Sequence, residues 1–363
     1  MAPEAHTGIE SAGVPVTLRF EDGVEQRIVV ARGEFVLDAA LRQGVPLVYQ
    51  CRSGICSTCV ATVVEGDVAP TPGRAVALLT SEIAEGRRLL CISHAHTPSV
   101  IREHYPSTLI YQRDSRKVSR DESAQGEAPT MPANVTAVEW PGATVGKLSL
   151  ELADGADFDF QSGQYVRIRV PGTDQWRSYS MATTPRELPR LEFLVRIIPG
   201  GAMSEYLRTR ARACDSLEVE GPRGAFVLRP RRASHIFIAG GTGLAPILSL
   251  IEAMRRRSGP RPPSLLSFGC STEQDFFYRD EIEIRQWWMP ELRVRLSGGR
   301  DASAASGLSR GNPVEALAAD DIGDAETDAY LCGPPAMIEA ARHRLVGLGV
   351  NPERIHAERF VAS

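Results

Sequence analysis

Lysine is almost absent from this 363-residue chain. Of its 41 basic residues only Lys117 and Lys147 are lysines, and the surplus of arginine reads as a compositional bias of the source genome. An excess of one charge is absent too. The 41 basic and 45 acidic residues leave a formal net charge of −4, which argues against nucleic-acid binding through a globally basic surface. No long apolar run is present. The most apolar stretch, residues 236–251, is broken by Gly240, Gly241, Gly243 and Pro246 and falls short of the roughly 20 residues a spanning helix needs. The first ten residues carry Glu4, His6 and Glu10 and lack the apolar segment of a secretory leader. The expectation is a soluble, cytoplasmic protein that engages neither nucleic acid nor membrane.

What is present is an ordinary globular composition, 43% hydrophobic and 24% charged, in a chain too long for one core. Two or three domains are expected. The seven cysteines are unevenly spread: Cys51, Cys56, Cys59 and Cys91 fall in or near the first quarter, while Cys214, Cys270 and Cys332 are scattered. In a long chain without a leader this distribution points to a metal or redox site rather than a disulfide framework.

The pattern of apolar residues divides the chain into four parts. Residues 1–110 read as a compact, sheet-rich domain, with strands over 14–20, 26–30, 59–64 and 88–92 and one helix over 35–42 that stops at Gly44. Residues 111–130 are nearly devoid of apolar side chains and read as a polar linker. Residues 131–230 alternate short strands with Gly and Pro turns, the grammar of a small antiparallel barrel, with one helix over 203–212. Residues 231–363 repeat strand, glycine loop and helix, which predicts a doubly wound parallel sheet. The fold class is therefore multidomain, α+β followed by α/β.

The cysteine spacing is the most specific signal. Cys51, Cys56 and Cys59 stand as C-x4-C-x2-C, with Cys91 apart, which is the plant-type [2Fe–2S] pattern. Three thiolates from one tight loop and a fourth from elsewhere can converge on two irons. Small Ser53, Gly54, Ser57 and Thr58 let backbone N–H groups approach the sulfurs. The same four residues could bind zinc, but zinc sites usually pair two short spacings, and here the fourth cysteine stands alone.

Arg177–Ser178–Tyr179–Ser180 after the strand QYVRIRV resembles the flavin-binding signature of the ferredoxin–NADP reductase superfamily. The resemblance implies that Arg177 contacts the flavin pyrophosphate, that Tyr179 packs against the isoalloxazine ring and that Ser180 lies near the flavin N5. The segment Pro199–Gly200–Gly201–Ala202–Met203–Ser204 opens a helix, where free N–H groups and the helix dipole favour an anion. By the same resemblance Gly201, Met203 and Ser204 hold the FAD pyrophosphate. Gly240–Gly241–Thr242–Gly243 lies between an apolar strand and a helix and permits close approach of a pyrophosphate, although it is not the G-x-G-x-x-G fingerprint. The string GGTGLAP resembles the pyridine-nucleotide loop of that superfamily. Cys332–Gly333–Pro334 resembles its nicotinamide-binding turn, with Cys332 near the hydride path, and Glu358–Arg359–Phe360 its closing segment, which implies Glu358 at the hydride site and Phe360 near the flavin. For the nucleotide, Glu273 and Asp275 could bind a ribose hydroxyl and favour NADH, whereas Ser297 and Arg300 could contact the 2′-phosphate of NADPH; NADH is the expectation.

Taken together, the order of a β-grasp ferredoxin domain with a [2Fe–2S] cluster, an FAD barrel and an NAD domain resembles the reductase components of bacterial multicomponent oxygenases of aromatic or hydrocarbon catabolism. Both the methane-monooxygenase type and the benzoate-dioxygenase type have it. The resemblance implies hydride transfer from NADH to FAD and single-electron delivery through the cluster to an oxygenase or hydroxylase component, either a di-iron monooxygenase or a Rieske dioxygenase. The alternative is a stand-alone NAD(P)H-dependent iron–sulfur flavoprotein reductase acting on a small molecule or a deoxysugar intermediate.

Overall fold

The computed structural model describes residues 13–49, 52, 54, 58–72, 78, 80–108, 129–230, 233–322 and 326–360. The chain divides into two compact units, residues 1–123 and 124–363.

In the first unit, β1 (Val14–Arg19) alternates so that Val16 and Leu18 point inward, and β2 (Glu25–Val30) buries Ile28 and Val30 against them. Helix α1 (Val36–Arg42) buries Val36, Leu37, Ala39 and Ala40, one helical face, and ends before Gly44, whose φ of +73° suits glycine. Then follow β3 (Val60–Glu65), β4 (Val68–Pro70), α2 (Thr80–Ala84), β5 (Arg87–Leu89), β6 (Ser93–Ala95) and β7 (Ser99–Glu103). The main sheet has the order β2-β1-β7-β3-β5, with β1 and β7 parallel and the other pairs antiparallel; β4 and β6 form a separate pair. This is the β-grasp arrangement.

The second unit opens with β8 (Thr130–Gly142), β9 (Val145–Leu152), β10 (Tyr165–Arg169), β11 (Trp176–Ser180), β12 (Arg190–Arg196), α3 (Ala202–Thr209) and β13 (Ser216–Arg223). These six strands pair antiparallel in the order β11-β10-β13-β8-β9-β12. A bridge between Met181 and Phe193, with Ala182 N–H donating to Glu192 O at 2.8 Å, brings the last strand back to the first and closes the barrel. Alternate residues Leu148, Leu150 and Leu152 of β9 and Leu191, Phe193 and Val195 of β12 fill its interior.

The rest of this unit is β14 (His235–Gly240), α4 (Leu244–Arg255), β15 (Ser264–Gly269), α5 (Arg279–Trp288), β16 (Leu292–Ser297), β17 (Asp328–Gly333), α6 (Pro335–Gly347) and β18 (Ile355–Arg359). The sheet is parallel throughout, in the order β16-β15-β14-β17-β18. Alternation along β14 explains the two layers. Phe237 and Ala239 pack with α4 on one face, while Ile236 and Ile238 pack with Ile338, Ala341 and Leu345 of α6 on the other. The chain winds outward from β14 to β16 and restarts at β17 on the opposite side. A crevice therefore opens at the carboxyl ends of β14 and β17, where open α/β sheets bind ligands. No helix among the described residues is long and apolar enough to cross a membrane.

Candidate active site and iron–sulfur centre

The crevice between β14 and β17 is lined by glycines that cannot be replaced without collision. A Cβ on Gly243 would lie 2.3 Å from Cys332 O, and one on Gly240 would lie 2.6 Å from Met337 Sδ. Gly333, at φ +154°, stands back to back with Gly240, the position of its Cβ falling 3.2 Å from Gly240 N. The two turns that the sequence singles out, Gly240–Gly243 and Cys332–Pro334, thus meet at the switch point. Thr242 is buried and Pro334 exposed.

The barrel strand β11 ends at the same place. Ser180 is buried, and its Oγ donates to Glu358 Oε2 at 2.9 Å across 178 residues of chain. Glu358 in turn is the register partner of Cys332 in the β17–β18 pair. Burial pushes the Glu358 carboxyl up to about 7, against the downward pull of the Ser180 hydrogen bond. Burial, and then the charge of Glu358, push the Cys332 thiol well above its ordinary value, so it stays protonated. Phe360 N–H donates to Gly333 O at 3.0 Å. Ser180, Cys332, Glu358 and Phe360 are therefore brought together.

Further along β11, Tyr179 is half-buried, with its ring edge-on to Phe193 at 6.5 Å. Arg177 donates to Gln175 Oε1 at 2.7 Å and to Trp176 O at 3.1 Å, and Ser178 is exposed. At the start of α3, Ser204 Oγ accepts from Ile198 N–H at 2.9 Å and folds the Ile198–Gly201 turn onto the helix. A Cβ on Gly201 would meet Ser204 Oγ at 3.0 Å and Ile198 O at 3.1 Å. Met203 and Ser204 turn their side chains inward, Met203 into the barrel core. What this segment offers a ligand is its backbone: the first-turn N–H groups of Ala202, Met203 and Ser204, which have no intrahelical acceptor. A cradle that a Cβ would fill, at a dipole end, fits a pyrophosphate.

Three residues of this site escaped the sequence reading. The Tyr165 ring and Glu358 flank Gly224, where a Cβ would fall 2.9 Å from the ring and 3.7 Å from Glu358 Oε1. Cys270 accepts from the N–H groups of Gly241 and Phe277, and burial, then the charge of Asp275, push its thiol up to about 12. The parallel register that sets Gly240 opposite Gly269 was the available signal, since it brings Cys270 level with Gly241.

The four residues weighed for nucleotide choice separate. Glu273 accepts from Ser303 N–H at 2.7 Å and from its hydroxyl at 3.1 Å. Asp275 accepts from Thr144 Oγ1 at 2.9 Å and Thr272 Oγ1 at 2.8 Å, so it pins its loop to the barrel hairpin rather than offering itself to a ribose. Ser297 is fully buried and Arg300 exposed.

In the first unit, Cys59 and Cys91 are both buried, at 4% and 3% exposure. Val60 pairs with Leu89, and Leu90 N–H donates to Cys59 O at 3.1 Å, so the two thiols belong to one end of the β3–β5 ladder. Cys51 and Cys56 lie outside the described residues. Between them Arg52 and Gly54 take left-handed conformations, at φ +53° and +86°. The Arg52 guanidinium pairs with Asp38, lies 5.6 Å over the Tyr49 ring and feels the charge of Cys91. Two buried soft donors at one end of the β3–β5 ladder, Cys59 and Cys91, fit an iron–sulfur cluster.

Comparison with known proteins finds matches along most of the chain. Residues 19–96 match the 2Fe-2S iron-sulfur cluster binding domain, 133–228 the oxidoreductase FAD-binding domain and 237–343 the oxidoreductase NAD-binding domain. The electron transfer component of 2-halobenzoate 1,2-dioxygenase from Burkholderia cepacia is 32% identical over 352 residues, covering 95% of this chain and 97% of that protein. Methane monooxygenase component C from Methylosinus trichosporium is 30% identical over 310 residues, covering 84% of this chain and 86% of that protein. Among solved structures, the Amycolatopsis cytochrome P450 reductase GcoB superposes with a TM-score of 0.65 at 27% identity, covering 96% of this chain and 99% of that one. The chain is an oxidoreductase with [2Fe–2S], FAD and pyridine-nucleotide domains, and it belongs to the iron–sulfur flavoprotein reductases, the family that includes the electron-transfer components of multicomponent oxygenases.

Proposed function

We propose that this protein takes a hydride from NADH and delivers single electrons to an oxygenase component in the cytoplasm, where the nicotinamide pool supplies it. The observation that carries the reading is the Ser180–Glu358 hydrogen bond, which joins the end of the flavin-signature strand to the edge of the nucleotide sheet. When bound, FAD and the cluster convert the two-electron chemistry of a nicotinamide into one-electron steps.

The residues divide the work as follows. Arg177 and the amides of Met203 and Ser204, at the turn that Gly201 makes, would bind the FAD pyrophosphate with Ser178 beside it, and Tyr179 and Phe360 would flank the ring. Gly240, Gly241, Thr242 and Gly243, with Gly333 and Pro334, seat the nicotinamide nucleotide. Ser180 and Glu358 orient the reacting faces, and the Glu358 carboxyl, whose Oε2 accepts from Ser180, holds a proton. Cys332 remains a neutral thiol that excludes water from beneath the nicotinamide. Glu273 opposes a 2′-phosphate and favours NADH over NADPH. Cys51, Cys56, Cys59 and Cys91 hold the cluster. The domains run over residues 1–110, 131–230 and 231–363, with 111–130 as linker.

Replacing Cys91 with Ser tests this order. Reduction of the bound flavin by NADH should persist, while electron delivery to a purified Rieske or di-iron oxygenase component should fall to background, read as product formed per NADH consumed. A variant that drives the oxygenase as well as the parent chain would overturn the proposal.

A further inference from the structure

Beside Cys59 the first unit buries a carboxyl group and a phenol, Glu103 and Tyr105. Alternation along β7 and the residues after it turns Ile101, Glu103 and Tyr105 inward, with exposures of 0%, 1% and 3%. In the antiparallel register with β3, Glu103 lies opposite Ala61, so the chain two residues on comes level with Cys59. Both Glu103 and Tyr105 feel the charge of Cys59.

The two side chains form a relay. The Tyr105 hydroxyl is hydrogen-bonded to the Glu103 carboxyl and accepts from Val48 N–H at 3.1 Å. Val48 is buried and stands three residues before Cys51, in the chain that leads from α1 into the cysteine loop. Tyr105 is fixed at its other end as well. Its carbonyl accepts from Glu21 N–H at 3.2 Å, and its ring stands edge-on to Phe20 at 5.9 Å. The second carboxyl oxygen of Glu103, Oε1, has no hydrogen-bond partner among the described residues. A buried, half-satisfied carboxyl carries a desolvation cost that an apolar residue would avoid. A residue kept at that cost beside a metal ligand, and tied to the approach of the ligand loop, points to a role in the site.

We infer that Tyr105 and Glu103 are positioning residues of the iron–sulfur centre: the Tyr105 hydroxyl, oriented by Glu103, holds the 45–49 segment against the sheet level with Cys59 and so fixes where the chain that leads to Cys51 departs. The inference rests on the reading of Cys51, Cys56, Cys59 and Cys91 as cluster ligands.

Tyr105→Phe removes the hydroxyl and keeps the ring; Glu103→Gln keeps the shape and an acceptor for Tyr105. In the full chain the measurements are iron and acid-labile sulfide per polypeptide, the reduction potential of the cluster by EPR-monitored titration, and the rate of cluster loss to a chelator. A parent chain without iron and sulfide would refute the ligand reading itself, apart from this inference. Otherwise Tyr105→Phe should shift the potential and lose its cluster about tenfold faster, the equivalent of one buried hydrogen bond. Glu103→Gln should change both in the same direction and by less. Should Tyr105→Phe fail to fold, the potential of Glu103→Gln decides alone. An unchanged potential would overturn the inference, even if thermal stability fell, because a merely structural pair would lower stability without moving the potential.

Discussion

At the scale of single residues, the proposed hydride transfer turns on Glu358. A carboxyl raised to about 7 is protonated below that pH and ionised above it. The single-turnover rate of flavin reduction by NADH should therefore change as pH passes through about 7, and Glu358→Gln should flatten the profile. Ser180→Ala removes the group that pulls this pKa down, so the profile should move to higher pH. A Ser180→Ala profile coincident with that of the parent chain would contradict the assignment. The raised pKa also affects stability. The folded state holds its proton more tightly than the unfolded chain, whose carboxyl has a value of 4.5, so this group's contribution is greatest below about 4.5 and is lost as pH rises through about 7. The candidate residues were legible in the sequence because Arg177–Ser180, Cys332–Pro334 and Glu358–Phe360 stand in short, unusual strings. Their partners were not. Tyr165 and Gly224 sit in unremarkable strand and turn sequences, and only the meeting of the barrel with the nucleotide sheet puts them beside Glu358. Likewise Asp275 reads as a free loop acid until the Thr144 hairpin is brought against it.

At the scale of elements, strands with clean alternation and helices with a clear apolar face could be read directly: β1, β2, α1, β9, β12 and the βα repeats of the nucleotide domain. Two long-range pairings could not. β8, Thr130–Gly142, carries Pro132 and shifts register against β9 between Val135 and Ala137 and again between Glu139 and Gly142, so its period-two pattern is interrupted. β18 has five residues, of which only Ile355 and His356 are buried, and owes its form to the parallel pairing with β17. The glycine loop between β14 and α4 was legible as a loop but not as a contact. Gly243 has an ordinary φ of −59°, so its need for glycine comes from the Cys332 carbonyl and not from the backbone. Gly243→Ala should force these turns apart at a cost of about 1–3 kcal/mol. The expected outcome is NADH binding weaker by about ten- to a hundredfold, with flavin content unchanged, as read by titration of the oxidised protein with NAD analogues. Unaltered affinity would mean that the two turns do not jointly seat the nucleotide.

At the scale of the whole molecule, three matched domains account for most of the chain, and read from the C-terminus they stand in the order of electron flow that the proposal assigns. The domain grammar was visible in the sequence because each domain uses a different one: a cysteine loop in a small mixed sheet, Gly- and Pro-punctuated antiparallel strands, and repeated βα units. The identity of the acceptor was not, because a partner's metal and substrate leave no mark on the sequence of the protein that feeds it. The central claim is that one polypeptide joins nicotinamide, flavin and iron–sulfur chemistry in that order. The most direct test is an anaerobic titration of the purified protein with NADH, followed by visible absorption and EPR, with NADPH in parallel. The account predicts flavin bands and a broad iron–sulfur absorption, both bleached by NADH, and an EPR signal of a reduced [2Fe–2S] cluster. A spectrum of flavin alone, with zinc in place of iron at the cysteines, would contradict it.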